Sequence, residues 1–513
     1  MTAPSLDRDR AEAPDLSETA RLGEAITRLL PALEQFNRFE GIDQAASERG
    51  RWLAALEREL PEQGCGLDEV LRELTDVAIP HGLRNGAPGF HGWVTTAPTT
   101  AGTAAALAAI VAGSQRWWVQ PFNFLEALAL RWLATLLGLP ADWQGTFTAG
   151  GSSANLVALG TARQRAFEQI GRDPSRDGLP GSAARVYAST EVHHVVNRAA
   201  AVLGLGRRAV RAVPVDSGGR IEIGELRRVL TADRSAGIVP IALVATAGTV
   251  NTGAIDPIGP MADLAEEFGS WLHVDGAYGL FGRLDERVAS LYDGLERADS
   301  AVVDPHKWLA TPVGIGAAFV RDRSLLGRAF TLEPAEYLEG AVDSDAGISS
   351  PFDDFGELFH DFNVDQSAPS RGAVVWAVLR EIGADGMRER VRRHRDFAAR
   401  LAEIVTADER LELLAPPTLS ICCFRYRPHK MDEVAVDRLN GEIARRLRTE
   451  TPYVPSTTRV AGRLAIRPCY INPRTTLNEV EGLARSVREL GDRLSVAVPE
   501  QGAPTAFPIR RQI

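Results

Sequence analysis

From about Gly145 to Val320 the chain repeats one rhythm: a short apolar run, a turn, then a helical pattern. The apolar runs are Ala184–Ala188, Ala209–Val213, Ile238–Ala245, Trp271–Val274 and Ser300–Val303, with Gly314–Val320 as one more. Another ends near Thr148, which makes seven. Between several of them apolar residues recur at three and four spacings, as in Ile223–Leu230 and Pro260–Phe268. A strand, a helix and a second strand joined in this way form a crossover, so successive strands run parallel. The alternation therefore predicts an α/β fold with a mainly parallel seven-stranded sheet and helices on its faces. Ligands of such sheets bind at the C-terminal strand ends.

The flanks read differently. Ser17 to about Leu83 is largely helical, and Pro88, Gly89 and Gly92 break that pattern. Pro98–Ser114 is mostly Ala, Thr and Gly; it is short for a bilayer span and reads as a buried helix. Asn123–Leu139 is a strong helix that ends near Gly138, before Pro140. Residues 339–370 are acidic, rich in Ser and Gly, and weakly periodic, as functional or disordered loops are. Two helices follow, Arg371–Ile382 and Gly386–Ala407, and then strands Leu419–Arg425 and Arg463–Pro468 with helices Asp432–Arg448 and Leu477–Ser495. The expected division is a helical arm over 1–85, a large sheet domain over 86–385, a small α+β domain over 386–498 and a tail over 499–513.

Net charge and cysteine content exclude several roles. A net charge of -10 is not the footprint of a general nucleic-acid binder. The polar, acidic N-terminus lacks the basic start and apolar core of a signal peptide, and no membrane association is expected. Four cysteines with no CxxC fit a reduced, cytoplasmic setting, and no metal site is expected. Lysine and arginine total 57, yet only Lys307 and Lys430 are lysines. An arginine-favouring genome explains that scarcity. It still leaves two candidates for an imine-forming amine, because arginine stays protonated.

Four segments carry the chemistry. In TFTAGGSSANL a strand ends near Thr148, and Gly150, Gly151, Ser152 and Ser153 lead into a helix. Glycines let backbone N–H groups approach an anion, and the helix N-terminus attracts negative charge. A Gly-Ser turn capping a helix would look the same. In STEVHHVV two histidines open a helix, as capping residues or with one imidazole stacked on an aromatic cofactor ring. In WLHVDGAYG an apolar strand delivers Asp275 at its end, either to cap the next turn or to face a flat ligand beside Gly276 and Ala277. In ADSAVVDPHKWLATP a strand ends near Asp304, and Pro305, His306, Lys307 and Trp308 follow. A desolvated lysine loses proton affinity and becomes a usable nucleophile. Lys430, in RYRPHKMDE, reads as a solvated surface residue. A phosphate cradle, a ring-stacking His, an Asp and a Lys are the parts a pyridoxal 5'-phosphate (PLP) site needs.

In these residues the chain resembles the group II PLP-dependent decarboxylases, which include aromatic-L-amino-acid, histidine, glutamate and diaminobutyrate decarboxylases of PLP fold type I, the aspartate aminotransferase-like fold. DPHKW and HVDGAYG are the most specific pieces; GGSSANLVAL, ATAGTVNTGAIDPI and INPRTT also match. The resemblance implies that Lys307 is the Schiff-base lysine, that Asp275 pairs with the pyridinium nitrogen, and that Ala277 and His193 pack on opposite ring faces. It implies that Gly151 and Ser152 bind phosphate with help from Ser300, Asp304 and His306, and that Thr246 or Thr249 lies near the ring. Trp93, Thr95, Thr96, Trp118, Phe122 and His360 would help form a substrate pocket in a homodimer with active sites at the interface. FTLEPAEYLEG is similar, with one residue inserted, to a loop segment whose tyrosine returns a proton to Cα, which points to Tyr337.

The expected reaction is decarboxylation of an L-amino acid to its amine. Phe90, Trp93, Trp117, Trp118 and Phe122 near the pocket favour an aromatic substrate, if they line the site rather than pack in the core. The alternatives are an acidic or diamino substrate, or oxidative decarboxylation to an aldehyde if the insertion moves Tyr337 out of reach.

Overall fold

The computed structural model describes residues 15–42, 45, 47–113, 120–179, 181, 183–331 and 359–496. Residues 1–90 and 91–513 form two compact units. The first is helical: Asp15–Phe36, Arg49–Leu56 and Leu67–Glu73, followed by a π turn over Leu74–Ala78. Helix Asp15–Phe36 carries Leu22, Ile26, Leu30 and Leu33 along one stripe, all exposed.

The second unit contains two sheets. Its strands are β1 (Phe90–His91, entering this unit by His91), β2 (Gln144–Thr148), β3 (Ala184–Ser189), β4 (Val210–Val213), β5 (Val239–Thr246), β6 (Trp271–Asp275), β7 (Ser300–Val303), β8 (Gly316–Val320), β9 (Leu411–Ala415), β10 (Cys423–Tyr426), β11 (Val454–Val460) and β12 (Arg463–Arg467). The large sheet runs β2-β8-β7-β6-β5-β3-β4. Five of its strands are parallel, and β8 runs antiparallel to both its neighbours. That arrangement is the mainly parallel seven-stranded sheet expected of PLP fold type I. β6, β7 and β8 are buried along their whole length, as strands covered on both faces must be. Helix Gly151–Glu168 packs on one face with a core of Val157, Leu159 and Phe167, while Leu243, Val274 and Phe319 point into the core of the other. The second sheet runs β1-β11-β12-β10-β9 and is antiparallel where β9 to β12 pair.

Helix Arg371–Ala407 spans both expected helices and is interrupted at Gly383 (φ 65°, ψ 178°). A left-handed φ of this kind suits glycine, so the break sits where the sequence pattern stops. The Ala-rich segment differs from expectation. It forms helix Thr100–Ala112, but Leu107, Ile110 and Val111 are exposed rather than buried. Among the described residues no helix is long and apolar enough to cross a membrane.

Candidate active site

A cavity of about 530 Å³ opens beyond the C-terminal ends of β2, β3, β5, β6 and β7. Its floor is built from glycines. β2 leads into Gly150, whose φ of 111° is closed to most side chains, and Gly151 then starts an 18-residue helix. A Cβ on Gly151 would stand 2.6 Å from Asp304 Oδ2, and one on Gly316 would stand 2.6 Å from the Gly150 carbonyl carbon. Only hydrogen at these positions lets the helix N-terminus, β8 and the turn after β7 meet. The free N–H groups of that helix face the cavity beside Ser152.

Three expected side chains converge here. Lys307 Nζ pairs with Asp304 Oδ2 at 2.9 Å. Asp275, at the end of β6, is buried and accepts from the Ala277 N–H at 3.1 Å. His193 accepts from the Val195 N–H at 3.3 Å, and its ring lies 4.2 Å from that of His194. Burial, and then the adjacent His194, holds His193 below the usual imidazole range, so its ring is neutral at pH 7. His194 is exposed and outside the cavity, which separates the two histidines. Lys430 is exposed and also outside it.

Under the cavity runs a buried chain of hydrogen bonds. Trp271 Nε1 donates to Ser300 Oγ (2.7 Å), and Ser300 pairs with His273 Nδ1 (2.8 Å). His273 Nε2 pairs with Asn155 Oδ1 (3.0 Å), and Asn155 Nδ2 donates to the Gly151 carbonyl (2.9 Å). Asn155 Oδ1 can only accept, so His273 carries its proton on Nε2, and Nδ1 of the neutral ring accepts from the Ser300 hydroxyl, which in turn accepts from the indole. Burial pushes the His273 imidazole down to about 4, which keeps it neutral. The chain ties β6 and β7 to the first turn of the glycine-led helix.

Of the remaining expected residues, Ala277, Thr246, Asp304, His306 and Trp93 line the cavity, whereas Thr249, Ser300, Thr95, Thr96 and Phe122 do not. Thr249 Oγ1 instead pairs with Thr252 and accepts from the Ala254 N–H, holding its own loop. Ser300 lies four residues before Asp304, roughly 13 Å deeper along a strand, and its hydroxyl is engaged with Trp271 and His273. Trp117, Trp118, Tyr337 and the side chain of His360 lie outside the described residues.

The sequence reading did not single out Asn155, Tyr278, Asn251 or Arg467, all of which line the cavity. Arg467, buried at the end of β12, donates to the carbonyls of Trp93 (2.7 Å), Asn251 (3.3 Å) and Val250. Its signal was a charged residue closing the apolar run RLAIR just before INPRTT.

Residues 50–427 match the family model described as the pyridoxal-dependent decarboxylase conserved domain. The chain belongs to this family. It is 32% identical to an aromatic-L-amino-acid decarboxylase of Bacillus atrophaeus over 73% of this chain and 74% of that protein. It is 31% identical to an L-2,4-diaminobutyrate decarboxylase of Rhizobium meliloti (strain 1021), covering 85% of this chain and 84% of that one. The crystal structure of Oryza sativa TDC with PLP and tryptamine superimposes with a TM-score of 0.81 at 25% identity, over 96% of this chain and 100% of that one. This pyridoxal-dependent decarboxylase is thus a PLP-dependent amino acid carboxy-lyase.

The site fits that cofactor on its own geometry. The glycine-lined cradle suits a phosphate group, and the buried Thr246 Oγ1 and Asp304 Oδ1 have no protein hydrogen-bond partner. A group seated between them would engage atoms that are otherwise costly to bury.

Proposed function

We propose that Lys307 carries the cofactor and that the substrate is an aromatic L-amino acid. The observation that supports this most is the position of Lys307. One of only two lysines in the chain, it stands at the strand-end cavity with Asp275, His193 and the glycine cradle. Bound PLP supplies an electron sink for breaking the Cα–carboxylate bond. The protein's own residues would do the rest. Gly151 N–H and the Ser152 hydroxyl would hold phosphate. The Asp275 carboxylate would keep a proton on the ring nitrogen. Neutral His193 and the small Ala277 would hold the ring flat between them. The Lys307 amine would exchange with the substrate amine. Val94, Val250 and Val313 would give the cavity an apolar wall for the substrate.

Trp93 in the cavity wall, together with the Bacillus relative, supports the aromatic class. Exposed Leu107, Ile110 and Val111 on helix Thr100–Ala112 support a homodimer, since an apolar patch of this kind marks an interface. The cysteines Cys65, Cys422, Cys423 and Cys469 are free, which supports a reducing, cytoplasmic setting.

The test is an assay of CO2, amine and peroxide together on aromatic, acidic and diamino acids, for the wild type and Lys307→Ala. CO2 and amine from aromatic substrates, lost in the variant with the cofactor-linked absorbance band, are expected. Peroxide and aldehyde in place of amine would assign the oxidative reaction, and a response to diamino acids alone would overturn the aromatic class.

A further inference from the structure

We propose that Asp304 makes the phosphate cradle take up a proton with its ligand, so that one proton is held between Asp304 Oδ1 and the bound phosphate ester. This rests on reading Gly150–Ser152 as the phosphate cradle. Asp304 is buried in the floor of that cradle: its Oδ2 lies 2.6 Å from the place of a Gly151 Cβ, and its Oδ1 lies 2.7 Å from that of a Gly316 Cβ. Lys307 Nζ occupies Oδ2 at 2.9 Å. Oδ1 is buried with no partner in the protein. The backbone around it is already engaged, with the Asp304 N–H donating to the Ala277 carbonyl at 3.1 Å.

The charged and titratable groups facing Asp304 are few. Lys307 and His306 come from its own turn and His193 from the segment after β3, while Asp275 of β6 lines the same cavity. The first turn of helix Gly151–Glu168 and the start of β8 present no charge among the described residues. His306 pairs through Nδ1 with the Ile315 carbonyl at 2.7 Å, so Nδ1 is its donor there, and its Nε2 comes nearest to Asp304 at Oδ2, 3.9 Å away and beyond hydrogen-bond reach. The cradle therefore offers N–H and hydroxyl donors on one side and an unmet carboxylate oxygen on the other. A phosphate dianion has only acceptors and would set charge against charge at Oδ1. A monoanion has one O–H, which Oδ1 can accept. Free phosphate esters lose that second proton near pH 6, so at higher pH the site must recover it on binding.

The experiment uses the full-length apoprotein and pyridoxamine 5'-phosphate, which has no aldehyde, so Lys307 stays an amine paired with Asp304. Calorimetry in buffers of different ionisation enthalpy reads protons taken up on binding, for the wild type and Asp304→Asn. The side-chain amide of that isosteric variant can donate to a dianion. At pH 8 the wild type is expected to take up about one proton more than the variant. Between pH 7 and 8 its affinity relative to the variant should fall about tenfold. Equal uptake and parallel affinity curves would overturn the proposal and leave the cradle standing. Should the variant not fold, wild-type uptake on binding inorganic phosphate, which has no ring nitrogen for Asp275 to protonate, decides in its place: about one proton at pH 8 and none at pH 5.5 are expected, and no uptake at pH 8 would overturn the proposal. Failure of the wild type to bind the ligand at either pH would overturn both the cradle and the role of Asp304.

Discussion

His273→Gln should remove an acid-dependent loss of stability without weakening the protein at neutral pH. In the wild type, burial pushes the His273 imidazole down to about 4, against about 6.5 in an unfolded chain. The unfolded chain therefore binds a proton that the folded one refuses, and stability falls as pH drops from 6.5 toward 4. The slope approaches about 1.4 kcal/mol per pH unit, or roughly 3 kcal/mol in total. Asp256 acts in the opposite sense. Burial raises its carboxyl to about 6, so its stabilising contribution is full below the unfolded carboxylate value and is lost as pH rises through 6. The two effects nearly cancel in the wild type, and only the difference between proteins isolates one of them. A glutamine can accept from Ser300 and donate to Asn155, so both hydrogen bonds survive and no proton is needed. Urea midpoints of the two apoproteins should agree at pH 7.5 and diverge in favour of the variant, by about 2 kcal/mol at pH 5. Parallel curves from pH 7.5 to 4.5 would refute the assignment of that slope to His273.

Three further outcomes follow from the same contacts. Gly151→Ala should weaken cofactor affinity at least about tenfold in an equilibrium titration, because the new methyl meets Asp304 Oδ2 at 2.6 Å and forces apart the cradle floor. Trp308→Phe deletes the donor to His394 Nδ1 (2.8 Å) in a fully buried stack with Tyr278, and should lower stability by about 1–3 kcal/mol in urea titration. Arg467→Ala leaves the carbonyls of Trp93, Val250 and Asn251 without their shared donor; steady-state kinetics should show KM rising more than kcat falls, with kcat/KM down about tenfold or more.

The strands of the large sheet were legible because both faces of each central strand are covered, so the sequence has to be apolar throughout, as in VPIALVAT of β5. β9 and β11 were not. LELLA has no strand alternation, and VPSTTRV is polar and half exposed; each is a strand only because an antiparallel neighbour pairs with it. The Ala-rich helix read as buried from composition alone, yet composition does not say which face a chain covers, and Ile110 is 70% exposed.

The same distinction divides the site. Lys307, Asp275 and His193 could be found because each stands at or just after a strand end, where local pattern and position coincide. Arg467 left only a charge at the end of an apolar run, because what makes it part of the wall is its meeting with Trp93, Val250 and Asn251, each more than 200 positions away from it. Ser300 shows how a local reading goes astray. It opens the strand that Asp304 follows, and only the depth of a buried strand separates a residue that could touch a ligand from one that touches Trp271 and His273. Through His273 and Asn155, Ser300 still reaches the Gly151 carbonyl, so its effect on the cradle is exerted from below, by fixing where the helix begins.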